Sequence, residues 1–163
     1  NHAETHIKNI VLNFLPSVLD YLSINLENTN QIVAGASMGG LMSMKTSILF
    51  PQFRNIISLS PAFWFGYPSV LHDIKNLSNE SSTYLYTGKK EGHIFGDHVK
   101  NIFPNNWDLD FSNNDDFYYS GVKNIKDSFD SNNKKVIFSF QDNGRHNETS
   151  WATAVLEILG KLI

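Results

Sequence analysis

The chain has 163 residues, of which 41% are hydrophobic and 18% are charged, and these proportions are typical of one soluble globular domain. The net charge of −3 and the absence of cysteine exclude disulfides, thiolate zinc sites and a cysteine nucleophile, and they disfavour nucleic-acid binding. No apolar run is long enough to span a membrane. Neither nucleic acid nor a membrane is therefore an expected partner. Without a visible signal-peptide pattern a cytoplasmic location is expected, and a secreted location stays open as the alternative.

Helical and strand-like patterns alternate along the chain. Apolar residues at three- and four-residue steps predict a first helix over residues 4–26, with a kink or local break at Pro16. Short runs rich in β-branched residues predict buried strands. The other predicted helices lie at 41–50, 69–77, 117–129 and 149–163, and the predicted strands lie at 31–35, 55–59, 82–87 and 134–140.

This alternation predicts an α/β fold made of βαβ units, with a parallel sheet between two layers of helices. We expect a single domain over residues 1–163, because the sequence contains no internal repeat and no low-complexity linker. Residues 94–116 have no hydrophobic period and are predicted to form an inserted loop.

One motif carries a specific chemical prediction. Residues 35–40, GASMGG, lie between a predicted strand and a predicted helix and have the G-x-S-x-G form of a nucleophile elbow around Ser37. In so tight a turn, side chains at Gly35 and Gly39 are expected to collide with neighbouring backbone. The N-terminus of the following helix would favour negative charge, and Met38 N–H is the predicted oxyanion donor. The alternative is a glycine-rich turn that only packs the strand on the helix.

A serine nucleophile needs a base, and a suitable histidine follows the last predicted strand. The carboxyl ends of parallel strands share one edge of the sheet, so His146 and Ser37 are expected to meet there. Glu91, just past the strand between them, is the predicted acid that orients the imidazole. Other acids that stay open for this role are Asp97, Asp142 and, further from a strand end, Asp110.

Three separated stretches together resemble one esterase family of the α/β-hydrolases. These stretches are residues 32–65, the TGKKEG turn at 87–92 and the NGRHNETSW turn at 143–151. The family includes enterochelin-type siderophore esterases, feruloyl and acetyl-xylan esterases, and mycolyltransferases. The resemblance covers nearly the whole chain except residues 94–116, and it implies a serine enzyme without a cofactor.

By that resemblance, Ser37 is the nucleophile, His146 the base and Glu91 the acid. Many members of the family have Asp at the position of Glu91, and some siderophore-type members work with a dyad. Trp151 also fits the family pattern and is expected to pack the closing helix onto the sheet.

The chain departs from the family pattern in its strand number. A complete α/β-hydrolase has about eight strands, whereas four are predicted here, and these correspond to the second half of the fold. The loop that normally supplies a second oxyanion donor is not in the sequence. Because a bare sheet edge favours aggregation, we expect the strand at 31–35 to pair with a missing N-terminal half or with another copy in a homo-oligomer.

Two further groups of side chains have competing interpretations. Phe63, Trp64 and Phe65 follow the second predicted strand at the same edge, so they either line a substrate site or pack in the core. His93 and His98 lack the spacing of a zinc motif, so no metal site is expected.

The sequence as a whole predicts a serine carboxylic-ester hydrolase that uses a Ser-His-Glu triad on a small, carbohydrate-type or siderophore-type ester. Two alternatives remain open: an acyltransferase that uses the same triad, and a catalytically silent binding domain with a hydrolase fold.

Overall fold

The computed structural model of the chain describes residues 2–27, 29–96, 109 and 111–162. A π-helical turn at Ile10–Phe14 joins the first two helices, and 3₁₀ turns lie at Phe63–Phe65, Ile74–Asn76 and Gly92–Phe95. The helices are α1 (His2–Asn9), α2 (Leu15–Tyr21), α3 (Met38–Leu49), α4 (Ser69–Asp73), α5 (Asn114–Ser131) and α6 (Glu148–Leu162), and the strands are β1 (Ile32–Ala36), β2 (Asn55–Leu59), β3 (Ser82–Gly88) and β4 (Lys135–Gln141).

The four strands form one parallel sheet in the order β1-β2-β3-β4. Each strand therefore lies beside its neighbour in sequence, and a helix connects each successive pair. Right-handed crossovers that all step in the same direction place their helices on the same face of the sheet. The α/β class and the parallel sheet predicted from the sequence are confirmed.

Two hydrophobic clusters fill the two faces of the sheet. On the crossover face, Ile56 and Leu85 of the central strands pack with residues of α3 and α5. On the other face, Ile57 and Tyr84 pack with residues of α6. Because successive side chains of a strand point to opposite faces, the central strands bury apolar residues on both faces. The closing helix thus completes the three-layer arrangement.

The outer strands are more exposed than the central ones. Ile32 of β1 is 39% exposed, and Ile137 and Phe140 of β4 are 43% and 45% exposed. Within the described residues, β1 pairs with β2 and with no further strand. The expected partner of the outer edge of β1 stays a prediction.

Most predicted elements agree with the structure to within a few residues, and the differences have local causes. Near Pro16 the chain stays helical, because Asn9, Phe14 and Leu15 all have helical backbone angles, so the irregularity there is the π-helical turn rather than a break. Helix α5 begins earlier than predicted because the Asn113 side chain caps it, accepting a hydrogen bond from Asp116 N–H at 3.0 Å.

Part of the predicted insertion at 94–116 lies outside the described residues, namely 97–108 and 110. Its two ends are ordered as the 3₁₀ turn that closes at Phe95 and as the start of α5. In the portion of the chain that the structure describes, no helix combines the length and apolar character needed to cross a membrane.

Candidate active site

Ser37 lies between the end of β1 and the start of α3, in a strained conformation. Its φ of 56° and ψ of −120° are unusual for a residue with a side chain. Such a backbone costs roughly 1–3 kcal/mol and persists only where the surrounding structure enforces it. The main chain around it is fixed by hydrogen bonds from Ser37 N–H to the Leu59 carbonyl at 2.9 Å and from Ala62 N–H to the Ser37 carbonyl at 2.9 Å.

Glycine is required at two positions of this turn, but not at both of the predicted ones. A Cβ at Gly35 would lie 2.3 Å from the carbonyl carbon and oxygen of Gly39, and one at Gly40 would lie 2.8 Å from the Leu59 carbonyl oxygen. A Cβ at Gly39 would meet no atom within 4 Å. The prediction that a side chain at Gly39 would collide is therefore wrong: Gly39 supplies the backbone that crowds Gly35, while its own Cβ position is open.

His146 comes from the loop between β4 and α6 and reaches Ser37 at the carboxyl edge of the sheet. Its Nε2 lies 2.9 Å from Ser37 Oγ. The His146 side chain is 10% exposed, and Ser37 is half-buried. Ser37 is thus partly open to solvent, and its hydroxyl is in hydrogen-bond contact with an imidazole nitrogen.

Glu91 follows β3 and holds the other side of the imidazole. Its Oε2 lies 2.8 Å from His146 Nδ1, and the carboxylate is completely buried. The second oxygen, Oε1, accepts hydrogen bonds from Gly88 N–H and from Ser60 Oγ, the latter at 2.7 Å. Because a carboxylate only accepts, Nδ1 carries the imidazole proton and Nε2 is left to accept the Ser37 hydroxyl.

The other acids considered for this position lie elsewhere. Asp142 is exposed and pairs with Lys89 at 2.8 Å. Asp97 and Asp110 lie outside the described residues. Among the acids that the structure describes, Glu91 is the one in contact with His146.

The imidazole is enclosed by two aromatic side chains. The Trp151 ring meets His146 edge to face with centroids 4.9 Å apart, and the Tyr118 ring lies 5.4 Å away. Tyr118 is itself fully buried, and its hydroxyl donates to the Ser60 carbonyl at 2.6 Å. These contacts restrict the rotation of the imidazole ring.

Burial near a carboxylate also keeps two phenols neutral. Burial, and then the charge of Glu91, raise the pKa of Tyr118 well above its ordinary value. The same two causes raise the pKa of Tyr86 to about 12. Both hydroxyls therefore serve as hydrogen-bond donors, Tyr118 to Ser60 and Tyr86 to Gln141 Oε1 at 3.1 Å.

The predicted oxyanion donor, Met38 N–H, directly follows Ser37 in the chain. Met38 is the first residue of α3, and the first N–H groups of a helix have no acceptor within it. A developing negative charge beside Ser37 would therefore face the positive end of the α3 dipole. The role of Met38 stays a prediction.

The three predicted substrate-contacting aromatic residues have very different exposures. Phe65 is 67% exposed and Trp64 is half-buried. Phe63 is completely buried and packs against the rings of Phe117 and Tyr118. A ring without accessible surface cannot contact a ligand, so core packing, the alternative interpretation, describes Phe63.

No metal centre is evident in the described residues, where no group of three or more His, Asp or Glu side chains is placed to hold an ion. His93 Nδ1 lies 3.1 Å from the Lys90 carbonyl oxygen. His98, considered with it in the sequence, lies outside the described residues.

Sequence reasoning missed two residues of this site. Ser60 Oγ binds Glu91, and the Tyr118 hydroxyl binds the Ser60 carbonyl, yet neither residue was singled out from the sequence. One sequence signal was available for Ser60, because it directly follows β2 and so lies at the same edge as Ser37, Glu91 and His146.

The fold is shared with solved esterase structures. The enterobactin esterase FES from Shigella flexneri, determined in the presence of enterobactin, is 16% identical with a TM-score of 0.61, over 91% of this chain and 34% of that one. A ferulic acid esterase is 12% identical with a TM-score of 0.66, over 93% of this chain and 57% of its own. The enterochelin esterase from Shigella flexneri is 17% identical with a TM-score of 0.62, over 91% of this chain and 34% of its own.

These similarities concern the fold of the chain. It spans between about a third and just over half of the length of these neighbours. No protein-family model matches the sequence, and no curated protein matches it. At such low identity the likeness establishes an esterase-like fold.

Proposed function

We propose that the chain carries the catalytic residues of a serine carboxylic-ester hydrolase, with Ser37 as nucleophile, His146 as base and Glu91 as the orienting acid. The observation that supports this most directly is the continuous chain of hydrogen bonds from Ser37 Oγ through His146 to Glu91, with distances of 2.9 and 2.8 Å. Ser37, at one end of this chain, is half-buried, and the Glu91 carboxylate at the other end is completely buried.

Acylation follows from the proton positions. Ser37 Oγ attacks the ester carbonyl carbon while its proton moves to His146 Nε2, which leaves a tetrahedral oxyanion and an imidazolium. Glu91 stabilises the imidazolium through Nδ1–H without taking the proton. His146 then protonates the leaving alcohol as the C–O bond breaks, and Ser37 is left as an acyl ester.

Deacylation repeats these steps with water. His146 Nε2 removes a proton from a water molecule that attacks the acyl carbon, and it returns the proton to Ser37 Oγ as the acid leaves. Met38 N–H is proposed as one donor to the oxyanion in both steps, because it is adjacent to Ser37 at the start of α3. We propose that the second donor comes from outside these 163 residues.

The substrate class is proposed from the exposed aromatic side chains. The Phe63–Phe65 turn is linked to the Ser37 turn by the Ala62 N–H bond to the Ser37 carbonyl. Phe65 and Trp64 at this turn would form a wall for the apolar part of a small, carbohydrate-type or siderophore-type ester. The structural neighbours named as esterases of enterobactin and of ferulic acid are in keeping with this class.

A direct test is hydrolysis of p-nitrophenyl acetate by the full-length protein and its Ser37→Ala variant. We expect Ser37→Ala to abolish turnover, because the attacking oxygen is removed. Ser131→Ala is a matched control, since that exposed hydroxyl donates to the Asp127 carbonyl on the surface of α5. Equal background rates for wild type and Ser37→Ala would favour a silent binding domain.

The product distinguishes hydrolysis from acyl transfer. When an acceptor alcohol is added, a hydrolase releases mainly the free acid, whereas an acyltransferase forms mainly the new ester. Mass spectrometry of the products separates these outcomes. Dominant transfer in dilute alcohol would replace the hydrolase proposal with the acyltransferase alternative.

A further inference from the structure

We propose that Ser60, together with Trp151, is a positioning residue that fixes the orientation of the Glu91 carboxylate and, through it, of His146. This inference rests on the proposed function, because it assigns a role within the same site. It concerns a hydroxyl that does not contact Ser37 or His146 in the described hydrogen bonds and acts through Glu91.

The backbone of Ser60 is held in an unusual conformation at the end of β2. Its φ of 42° lies in the left-handed region that residues with side chains seldom adopt. Ser60 N–H donates to the Tyr86 carbonyl at 2.7 Å, and the Ser60 carbonyl accepts from the Tyr118 hydroxyl at 2.6 Å. Both backbone polar groups are thus paired, and the hydroxyl remains to contact Glu91.

Counting donors and acceptors fixes the direction of the hydrogen bonds. Trp151 Nε1 can only donate, so Ser60 Oγ accepts from it at 3.0 Å. The single hydroxyl proton of Ser60 is then donated to Glu91 Oε1 at 2.7 Å. The chain of donation therefore runs from Trp151 to Ser60 to Glu91.

This direction explains why one carboxylate oxygen faces the imidazole. Oε1 is occupied by Ser60 Oγ and by Gly88 N–H, whereas Oε2 is the oxygen that contacts His146 Nδ1. Two donors on the same oxygen, from different elements, oppose rotation of the carboxylate about its last torsion. Without them, the buried carboxylate has other orientations that lengthen the bond to His146.

Trp151 contacts both Ser60 and His146. Its Nε1 binds Ser60, and its ring packs edge to face on His146. One side chain of α6 therefore couples the orientation of the carboxylate with that of the imidazole. This is a more specific role than the packing of the closing helix that the sequence predicted for Trp151.

The test compares Ser60→Ala, Ser60→Gly and Trp151→Phe in the full-length protein. Each is expected to lower kcat for p-nitrophenyl acetate by about tenfold, from the loss of one hydrogen bond in a charged network. In the two Ser60 variants KM should stay the same, because Ser60 is completely buried and cannot touch substrate. Glycine relieves the left-handed strain that alanine retains, so equal kcat values in the two Ser60 variants would tie the effect to the hydroxyl rather than to stability.

A matched control and a double variant sharpen the comparison. Ser47→Ala removes another buried hydroxyl, which donates to the Phe53 carbonyl at 2.7 Å away from the site, and it should leave kcat unchanged. Ser60→Ala combined with Trp151→Phe should lose less activity than the product of the two single losses, because the Trp151 Nε1 bond acts through Ser60 Oγ. Wild-type kcat in Ser60→Ala, or fully additive losses in the double variant, would overturn the proposal.

A spectroscopic measurement separates this inference from the proposed function. The Nδ1 proton of His146, held by Glu91, should give a low-field proton resonance in the NMR spectrum of the wild type, and that resonance should shift or broaden in Ser60→Ala but not in Ser47→Ala. An absent wild-type resonance, or one unchanged by Ser60→Ala, contradicts the positioning role. An inactive wild type that still shows the Ser60-dependent resonance contradicts only the esterase proposal.

Discussion

Ser37 Oγ and His146 Nε2 lie 2.9 Å apart although the two residues are separated by 109 positions in the chain. The parallel sheet explains this contact, because β1 and β4 end at the same edge. Glu91 follows β3 and reaches the same edge from between them. The relative placement of these side chains is therefore a consequence of the strand topology.

Replacing Glu91 by Gln should lower kcat by about 10²- to 10⁴-fold. The amide oxygen of Gln would accept the bonds from Ser60 and Gly88, and its NH₂ group would then face His146 Nδ1. That nitrogen would have to accept, which moves the imidazole proton to Nε2 and prevents it from taking the Ser37 proton. Steady-state kinetics on p-nitrophenyl acetate measure the effect.

Asp142→Asn is the matched control for this variant. Asp142 is an acid at the end of β4 that pairs with Lys89 at the surface, so its loss should leave kcat within about twofold of wild type. A large loss in Asp142→Asn together with a small one in Glu91→Gln would reassign the acid.

Gly35→Ala should destabilise the fold, whereas Gly39→Ala should not. The new Cβ at Gly35 would lie 2.3 Å from backbone atoms of Gly39, and relieving this overlap should cost about 1–3 kcal/mol or more. The Cβ at Gly39 meets open space, and alanine within a helix is favoured over glycine by roughly 0.5–1 kcal/mol. Urea denaturation of the two variants measures the difference, and equal free energies of unfolding would contradict the described geometry of this turn.

The sheet, and the meeting of Ser37, Glu91 and His146 at its carboxyl edge, could be predicted from the sequence. Both follow from repeating patterns of apolar residues. Apolar runs mark strands such as β2, whose bounds were predicted without error, and the parallel topology then brings their ends together. By contrast, the predicted crowding at Gly39 failed because the direction of a Cβ in a tight turn depends on backbone torsions that no sequence pattern specifies.

On the loop after β2, the contacts of Ser60 and Phe63 also could not be predicted from sequence patterns. The contact of Ser60 with Glu91 depends on a left-handed φ and on side chains from α5 and α6. Phe63 and Phe65 are two positions apart in one 3₁₀ turn, yet one is completely buried and the other is 67% exposed. Composition predicts an aromatic cluster there, and tertiary packing decides which ring is available to a ligand.

Phe65→Ala should raise KM for aryl esters several-fold and leave the free energy of unfolding unchanged, because this ring is mostly exposed. Phe63→Ala should instead destabilise the fold by about 3–5 kcal/mol, as expected for the loss of a buried aromatic ring. Kinetics with p-nitrophenyl esters and chemical denaturation separate the two effects. Unchanged KM in Phe65→Ala would remove this residue from the proposed substrate wall.

Alkaline pH should weaken the folded state through the buried phenols. The pKa of Tyr86 rises on folding from 10.0 to about 12, so between these values the unfolded chain has lost a proton that the folded chain still holds. The stabilisation is complete below pH 10 and decreases as the pH rises towards 12, since the unfolded state binds fewer protons. Tyr118, whose pKa is also raised by burial, should add to this decrease in stability with rising pH.

The decrease in the free energy of unfolding at alkaline pH can be assigned to individual phenols by replacing one phenol at a time. Urea denaturation at a series of pH values should show a free energy of unfolding that falls above pH 10, and Tyr86→Phe should flatten that fall because it removes one titrating group. Exposed Tyr21, at 86% exposure, offers the control, since Tyr21→Phe changes a phenol that is equally solvated in both states and should leave the slope as in wild type. A free energy that stays constant through this pH range would mean that water reaches the Tyr86 hydroxyl, and with it the interior side of the Glu91 site.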